Sequence, residues 1–327
     1  MKINNKDLIA INKICEVLEL GNILNIEYMN SHQNFVYKIT TDQDIYVLKE
    51  YTKDAIPNDY SLTKRKKQIS ICEFLSQNGV PSIVPLKFDD KFFLHYRGTY
   101  YLIYKYFDFK ILKKSELDSK KIKKLANTLA IIHKLDIKSD LPCQYKKITI
   151  DYNKFLRKYK RMDSKLYQTL YDNHFILEKL TTKCNENIKY VKENLCISHN
   201  DYKLQNILWK KDFMYLIDYD ACSLANPAVS LAECAFSLSM HSNSLKKDHY
   251  KEFIHTYLKK YGPLKTDYKL ALSVAMNGKL QWLEYLMNIC SKNNQVRISE
   301  TISMINELVT FCKYEDELLN IYSSLIK

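Results

Sequence analysis

Glycine and proline are scarce, at five and six in 327 residues, so collagen-like, linker-rich and low-complexity architectures are excluded. No period of 20–50 residues recurs, which rules out solenoids and propellers. None of the nine cysteines forms a C-x-x-C pair and their number is odd, so neither a zinc knuckle nor a closed disulfide set is indicated. Reduced, mostly buried thiols of a cytoplasmic protein fit best. No run of 18 apolar residues occurs, and charges interrupt Met1 to Glu27, so neither a membrane span nor a signal peptide is expected. Arginine is also rare. Arg65, Arg97, Arg157, Arg161 and Arg297 are the whole set among 50 cations, against 37 acidic residues, for a formal charge of +13. Guanine readout and phosphate forks favour arginine. The lysine excess, with abundant Asn, Ile and Tyr, reads as the product of an AT-rich coding sequence, and no nucleic-acid partner is expected. Nucleotide phosphates would still benefit from the positive field.

What is present is a core: 46% of the residues are hydrophobic, enough for two lobes or domains. Residues 7–20 carry apolar positions at helical spacing and stop at Gly21. The period then shortens. Ile23 to Tyr28, Asn34 to Thr40 and Asp44 to Tyr51 are β-rich runs separated by polar turns. Residues 61–78 read as a helix ending at Asn78-Gly79, and Ile83 to Phe88, Phe92 to Arg97 and Thr99 to Phe107 as three more strands. Past Asp108 the character is helical, over 116–135, mainly over 151–192, and almost throughout Ser230 to Ile326. Between these lie Leu195 to Ser198, Ile207 to Trp209 and Phe213 to Asp218, short apolar runs around a polar loop. The spacing therefore predicts an α+β chain that divides near residue 107.

One segment carries chemistry. Ile197-Ser-His-Asn-Asp-Tyr-Lys-Leu-Gln-Asn-Ile-Leu-Trp209, then Tyr215-Leu-Ile-Asp-Tyr-Asp220, reduces to H-x-D-x-x-x-x-N, an apolar hairpin, and D-x-D. Phosphoryl transfer asks little covalent chemistry of a protein. It needs a carboxylate to orient a hydroxyl and take its proton, and oxygen ligands for magnesium on the nucleotide phosphates. Asp201 suits the first task, and Asn206 and Asp218 supply hard oxygen donors. A hairpin would return Asp218 beside Asn206. Singly, each has an ordinary reading. Asp201 passes for a helix cap, Asn206 for a turn residue and Asp218 for a strand end. The spacing of all three favours the site.

These motifs resemble the catalytic loop and metal-binding segment of the aminoglycoside phosphotransferase and choline kinase group, which has a protein-kinase-like fold. Ile45-Tyr-Val-Leu-Lys49 resembles that group's strand whose lysine reaches the nucleotide phosphates. Asn30-Ser31 and Asn34-Phe35-Val36-Tyr37 resemble its phosphate-covering hairpin, and Leu125 to Leu135 the helix before the catalytic loop. The resemblance covers about residues 20–290. It implies a two-lobed fold, with a small N-terminal sheet lobe (1–107) bearing one main helix and binding the nucleotide. A larger, mostly helical C-terminal lobe (108–327) would hold the catalytic and acceptor sites. The activity implied is transfer of the γ-phosphoryl group of ATP or GTP to a hydroxyl of a small molecule. An aminoglycoside-like antibiotic and an amino-alcohol or choline-like metabolite are both open as acceptors. Mg2+ is the implied ion, and a monomer or dimer the implied state.

The resemblance also implies roles. Asp201 is the catalytic carboxylate, and Asn206 and Asp218 hold the metal. Lys49, Ser31 and Asn34 face phosphates, and Lys105 to Phe107 form a hinge whose backbone recognises the nucleobase. Asp220 contacts a second metal or substrate, or merely caps. Several positions depart from the pattern. The covering hairpin has no glycine. The helix glutamate that should pair with Lys49 falls on Gln68, with Glu73 as the alternative, so Lys49 is expected to have a hydrogen-bond partner rather than an ion pair. Ser230 stands where many relatives have an aspartate that braces the loop. These departures leave a second reading, a catalytically weak kinase-like binding or structural protein like the spore-coat relatives. His199 reads as a structural loop histidine and His133 as a satisfied core histidine. From Ala221 onward twelve cations face ten acids, no excess for a polycationic acceptor, and Glu233 and Glu284 are the acidic candidates there.

Overall fold

The computed structural model describes residues 5–29, 34–241 and 244–326. Its contacts divide the chain into two compact units, Met1–Ile111 with Asn206–Asp220, and Leu112–Gln205 with Ala221–Lys327. Residues 206–220, grouped by the sequence reading with the C-terminal part, thus pack with the N-terminal one.

The first unit is built on an antiparallel sheet of five strands. These are β1 (Ile23–Met29), β2 (Phe35–Thr41), β3 (Ile45–Tyr51), β4 (Leu94–Tyr96) and β5 (Thr99–Lys105), in the order β1-β2-β3-β5-β4. Strand alternation sends Tyr37, Ile39, Leu48, Tyr101 and Ile103 to one face. There they pack on Ala10, Ile11, Ile14 and Cys15 of helix α1 (Asn5–Val17). Tyr51 and Leu102 point the other way and meet Ile69 of α2 (Asp59–Gln77). Lys49 shares the parity of Tyr51, so the β3 register carries it to the α2 side. Asn58 caps α2, accepting from Ser61 N–H at 2.9 Å, and the helix stops at Asn78 before Gly79. The expected strand at Ile83–Phe88 is absent. The chain there makes isolated contacts instead, bridges from Ser82 to Leu216 and Phe88 to Lys91 and a hydrogen bond from Leu86 N–H to the Ile103 carbonyl (2.7 Å). Pro81 and Pro85 lack the N–H groups that a continuous ladder requires. The unit is completed by a second antiparallel sheet, β6 (Lys110–Ile111), β8 (Ile207–Lys210) and β9 (Phe213–Leu216), in the order β6-β8-β9.

The second unit is helical: α3 (Ser119–Lys134), α4 (Tyr152–Lys160), α5 (Ser164–Asn187), α6 (Pro227–Ser239), α7 (Lys247–Tyr261), α8 (Tyr268–Ala275), α9 (Asn277–Ile289) and α10 (Gln295–Leu325). The region read as helical over 151–192 breaks at Arg161–Asp163, where Asp163 starts α5 by accepting from Leu166 N–H at 2.8 Å. Ile122, Leu125, Ala126, Leu129, Ala130 and Ile132 of α3 are buried, against α7. Strands β7 (Cys196–Ser198) and β10 (Ser223–Ala225) pair antiparallel and frame the H-x-D loop. Among the described residues no helix is long and apolar enough to cross a membrane.

Candidate active site

The hairpin of the first unit returns Asp218 to Asn206. β8 and β9 pair from Ile207↔Leu216 to Lys210↔Phe213, and Ile217 N–H donates to the Asn206 carbonyl at 3.0 Å. Leu216 is tied back to the residues before the sheet, its N–H donating to the Pro81 carbonyl (2.7 Å) and its carbonyl accepting from Ile83 N–H (2.9 Å). Asp218 has a φ of 63°, the left-handed region, so the chain turns sharply there at some cost in strain. Asn206 is buried while the Asp218 side chain stays 41% exposed. An amide oxygen and an accessible carboxylate are the hard donors that magnesium takes. The fit is one of donor chemistry. No group of three His, Cys, Asp or Glu among the described residues is placed to hold a metal alone, and magnesium on a nucleotide draws its remaining oxygens from phosphates and water.

Lys49 meets the same turn. Its Nζ lies 2.9 Å from Asp218 Oδ1 and 2.9 Å from Asp220 Oδ2. Burial alone would push its pKa down, but the Asp220 carboxylate first and the Asp218 carboxylate second outweigh it and hold the ammonium above the ordinary lysine range. The expectation of a hydrogen-bond partner without an ion pair is therefore corrected. Gln68 is fully buried, but its Nε2 donates to the Asp220 carbonyl at 2.8 Å, and the ion pairs of Lys49 come from the D-x-D turn. Glu73 reaches Lys87 instead, at 2.5 Å.

Asp220, the least determined of the acids in sequence, is closely held. Tyr51 Oη donates to its Oδ1 at 2.8 Å, Asn34 Nδ2 lies 3.5 Å from Oδ2, and the Arg65 guanidinium donates to its carbonyl. Arg65 and Tyr51 were not singled out from sequence. The one available signal was Arg65 itself, one of five arginines in a chain rich in lysine. Ser31 lies outside the described residues. The Lys105 side chain turns to Asp44 (2.6 Å). Phe107 is stacked on Phe109 (5.1 Å) and Phe109 on Tyr215 (4.9 Å), and the Phe107 carbonyl accepts from Phe109 N–H at 2.9 Å.

In the second unit Asp201 follows β7, and Lys203 Nζ lies 2.9 Å from its Oδ1. Asn200, with φ 57°, donates from Nδ2 to Ser223 Oγ (2.7 Å), which pins the loop to β10. His133 is buried with both ring nitrogens engaged, Nδ1 with Tyr257 Oη at 2.7 Å and Nε2 with Ser198 Oγ at 3.0 Å. Burial drives its pKa down to about 3, so it is neutral. Ser230 Oγ reaches the same Ser198 Oγ at 3.3 Å, a hydroxyl link where an aspartate brace was expected from the family pattern.

The two acidic candidates part here. Glu284 is a surface residue bonded by Thr149 Oγ1 at 2.8 Å. Glu233 is partly buried on α6, and burial raises its pKa to about 7. Lys279 opposes that shift, while Asp201 and Glu307 add to it. Lys279 and Glu307 pair at 3.1 Å. A cavity of about 480 Å3 opens beside Glu307, lined also by Lys114, Asp163, Ser299, Ser303 and Asn306. Sequence reasoning missed Lys279, Glu307 and this cavity, whose walls come from segments as far apart in the chain as Lys114 and Thr310.

Among curated proteins none matches the sequence. Solved structures do. A spectinomycin phosphotransferase, APH(9)-Ia, in complex with ADP and spectinomycin is 16% identical, covers 94% of this chain and 98% of its own, and gives a TM-score of 0.68. An amicoumacin kinase, hAmiN, in complex with AMP-PNP and Ca2+ is 13% identical over 93% and 96% of the two chains, with a TM-score of 0.58. The choline kinase LicA from Streptococcus pneumoniae is 16% identical over 92% and 99%, with a TM-score of 0.58. At these identities the likeness establishes the kinase-like α+β fold. The model of the phosphotransferase enzyme family (APH) matches residues 26–270, which take in Lys49, the H-x-D-x-x-x-x-N loop and the D-x-D turn, and the chain belongs to that family of enzymes.

Proposed function

We propose that the protein transfers the γ-phosphoryl group of ATP or GTP to a hydroxyl of a small molecule. The observation that carries this reading is the meeting of Lys49 with Asp218, on a hairpin that also returns Asn206 to the same turn. The first unit binds the nucleotide, with Lys49 on its phosphates, the backbone of Asn34 beside them, and the chain from Lys105 to Phe107 against the base. Asn206 and Asp218 would hold magnesium, which would screen the phosphate charge. The second unit supplies Asp201, which orients the acceptor hydroxyl and receives its proton as the new O–P bond forms and the bond to the nucleoside diphosphate breaks. The acceptor lies toward Glu233 and the cavity beside Glu307. That cavity is within the range of small-molecule sites. Spectinomycin and choline, named for the similar structures, support an acceptor of that size, antibiotic or metabolite. The place of reaction is the cytoplasm, where nine cysteines without a disulfide stay reduced.

The weakly active alternative drew on Gln68 and Ser230. Each has a substitute: the Asp220 carboxylate lies 2.9 Å from Lys49 Nζ, and the Ser230–Ser198–His133 link ties α6 to the loop. The test is consumption of ATP and GTP with a panel of aminoglycosides, aminocyclitols, choline and amino alcohols, the product identified by a mass gain of one phosphate. A phosphorylated product that disappears in Asp201→Ala supports the reading. No product from any acceptor, or equal product from the variant, overturns it.

A further inference from the structure

Asp220 takes no part in the transfer step itself, yet the fold fixes both its backbone and its side chain. Its two carboxylate oxygens divide their partners, Oδ1 taking Tyr51 Oη (2.8 Å) and Oδ2 taking Lys49 Nζ (2.9 Å) and, further off, Asn34 Nδ2 (3.5 Å). Its carbonyl is gripped twice from α2, by Arg65 and by Gln68 Nε2 (2.8 Å). Arg65 also donates to Gln68 Oε1 at 3.0 Å, which sets the amide with its NH2 toward Asp220, and stands 3.8 Å from Asp220 Oδ1. Asp220 is 17% exposed and Arg65 16%, against 41% for Asp218.

We propose that Asp220 is the standing counter-ion of Lys49, and that Arg65 is the positioning residue that holds it there. The inference rests on reading Lys49 as a phosphate contact. A buried ammonium requires an anion beside it. In this chain α2 offers glutamine at position 68, and a neutral amide cannot supply the charge. Of the two carboxylates on Lys49, Asp218 is the more exposed and Asp220 the more enclosed. A partner that drew Asp218 away would leave Asp220 as the anion beside Lys49. Arg65 completes the balance: Lys49 and Arg65 against Asp218 and Asp220 is a neutral set of four charges, and loss of the guanidinium leaves a net negative one facing incoming phosphates. The arrangement makes the lysine's anion part of the D-x-D turn, so α2 governs that turn through the Asp220 carbonyl rather than acting on the lysine directly.

The experiment is nucleotide binding by titration calorimetry on the full chain, with ATP and GTP, each in Mg2+ and in EDTA. The variants are Arg65→Ala, Arg65→Lys, Asp220→Asn, the double variant Arg65→Ala/Asp220→Asn and, as a milder change, Tyr51→Phe. Melting curves establish that each is folded. A displaced lysine costs about tenfold or more in affinity. Arg65→Ala and Asp220→Asn should each show that loss in EDTA as well as in Mg2+. Arg65→Lys should fall between wild type and Arg65→Ala, because an ammonium keeps the charge and loses the fork. Tyr51→Phe should shift affinity in the same direction by less, and the double variant should be little worse than either single one. A merely structural role lowers melting temperature and leaves the EDTA affinity of the folded fraction alone, which overturns the proposal. Asp220→Asn with unchanged affinity in EDTA and a raised Mg2+ requirement makes Asp220 a metal ligand and overturns it too. So does tighter binding by Asp220→Asn, the result expected if Asp220 only repels phosphates. A wild-type protein that binds neither nucleotide overturns the phosphate role of Lys49 itself, an outcome separate from all of these.

Discussion

Glu233 carries a pH signature that belongs to one side chain. In the fold burial raises its pKa from the ordinary 4.5 to about 7, with Asp201 and Glu307 adding to the effect against Lys279. Between those two values the native chain keeps a proton that the unfolded chain releases, so this contribution to stability is complete below the unfolded pKa and lost as pH rises through the folded one. The melting temperature should therefore decline by a few degrees from about pH 5 to about pH 7, and Glu233→Gln should flatten that decline in a pH series of melting curves. An unchanged slope in the variant removes Glu233 as its source. Asp201 gives the complementary prediction for chemistry. Asp201→Asn keeps shape and removes the base, so turnover should fall by about 10²- to 10⁴-fold while nucleotide affinity, measured by calorimetry, stays within about twofold of wild type. Residues of this kind were legible because the reaction constrains sequence spacing. Asp201, Asn206 and Asp218 lie within eighteen positions and Lys49 ends an apolar run. Arg65 and Tyr51 were not legible, because they reach Asp220 across 155 and 169 positions, and no local period records such a contact.

At the scale of elements, the turn from α1 into β1 depends on Gly21. Its φ is +93°, and a Cβ there would run into the Asp42 carboxylate, which accepts from Asn22 N–H at 2.8 Å and Asn22 Nδ2 at 2.7 Å. Gly21→Ala should destabilise the chain by about 1–3 kcal/mol, read as a lowered urea midpoint with an unchanged slope. A neutral substitution would mean that the turn relaxes at no cost. Elements with a clean period were the readable ones: strands β1, β2, β3 and β5 and helices α2 and α3 lie within a few residues of the spans expected. The misreadings have local causes. Ile83–Phe88 has the composition of a strand, but Pro81 and Pro85 deny it a ladder. The 151–192 stretch keeps helical composition across a break set by the Asp163 cap. The hairpin that returns Asp218 to Asn206 was legible because two apolar runs flank a short polar turn. Strand β6, which pairs with β8 beside that hairpin, was not, since two residues carry no period.

At the scale of the whole molecule the formal charge of +13 attracts any polyanion, and what must be separated is attraction from recognition. Surface lysines act through water and salt, whose screening length is about 8 Å at physiological ionic strength. Binding of duplex DNA or RNA by such charge should be sequence-independent and fall steeply with salt, by about 10³-fold or more between 50 and 200 mM if six or more phosphates are engaged. Lys49, Arg65 and Asp220 are largely enclosed and the charges of the cluster are balanced, so nucleotide binding there should survive the same salt. A ligand at about 100 times its Kd adds about 2.7 kcal/mol to folded-state stability. Mg-ATP or Mg-GTP should accordingly raise the melting temperature at 200 mM salt by several degrees, and Lys49→Met, which keeps an unbranched apolar stem and removes the charge, should abolish the rise. The contrast within one salt series is the decisive reading. A nucleotide shift that outlasts salt while nucleic-acid binding collapses places recognition in the Lys49 site. The reverse pattern, with nucleic-acid binding persisting and no nucleotide shift at any salt, would make the positive surface the working part of the molecule and leave the phosphotransferase reading without support.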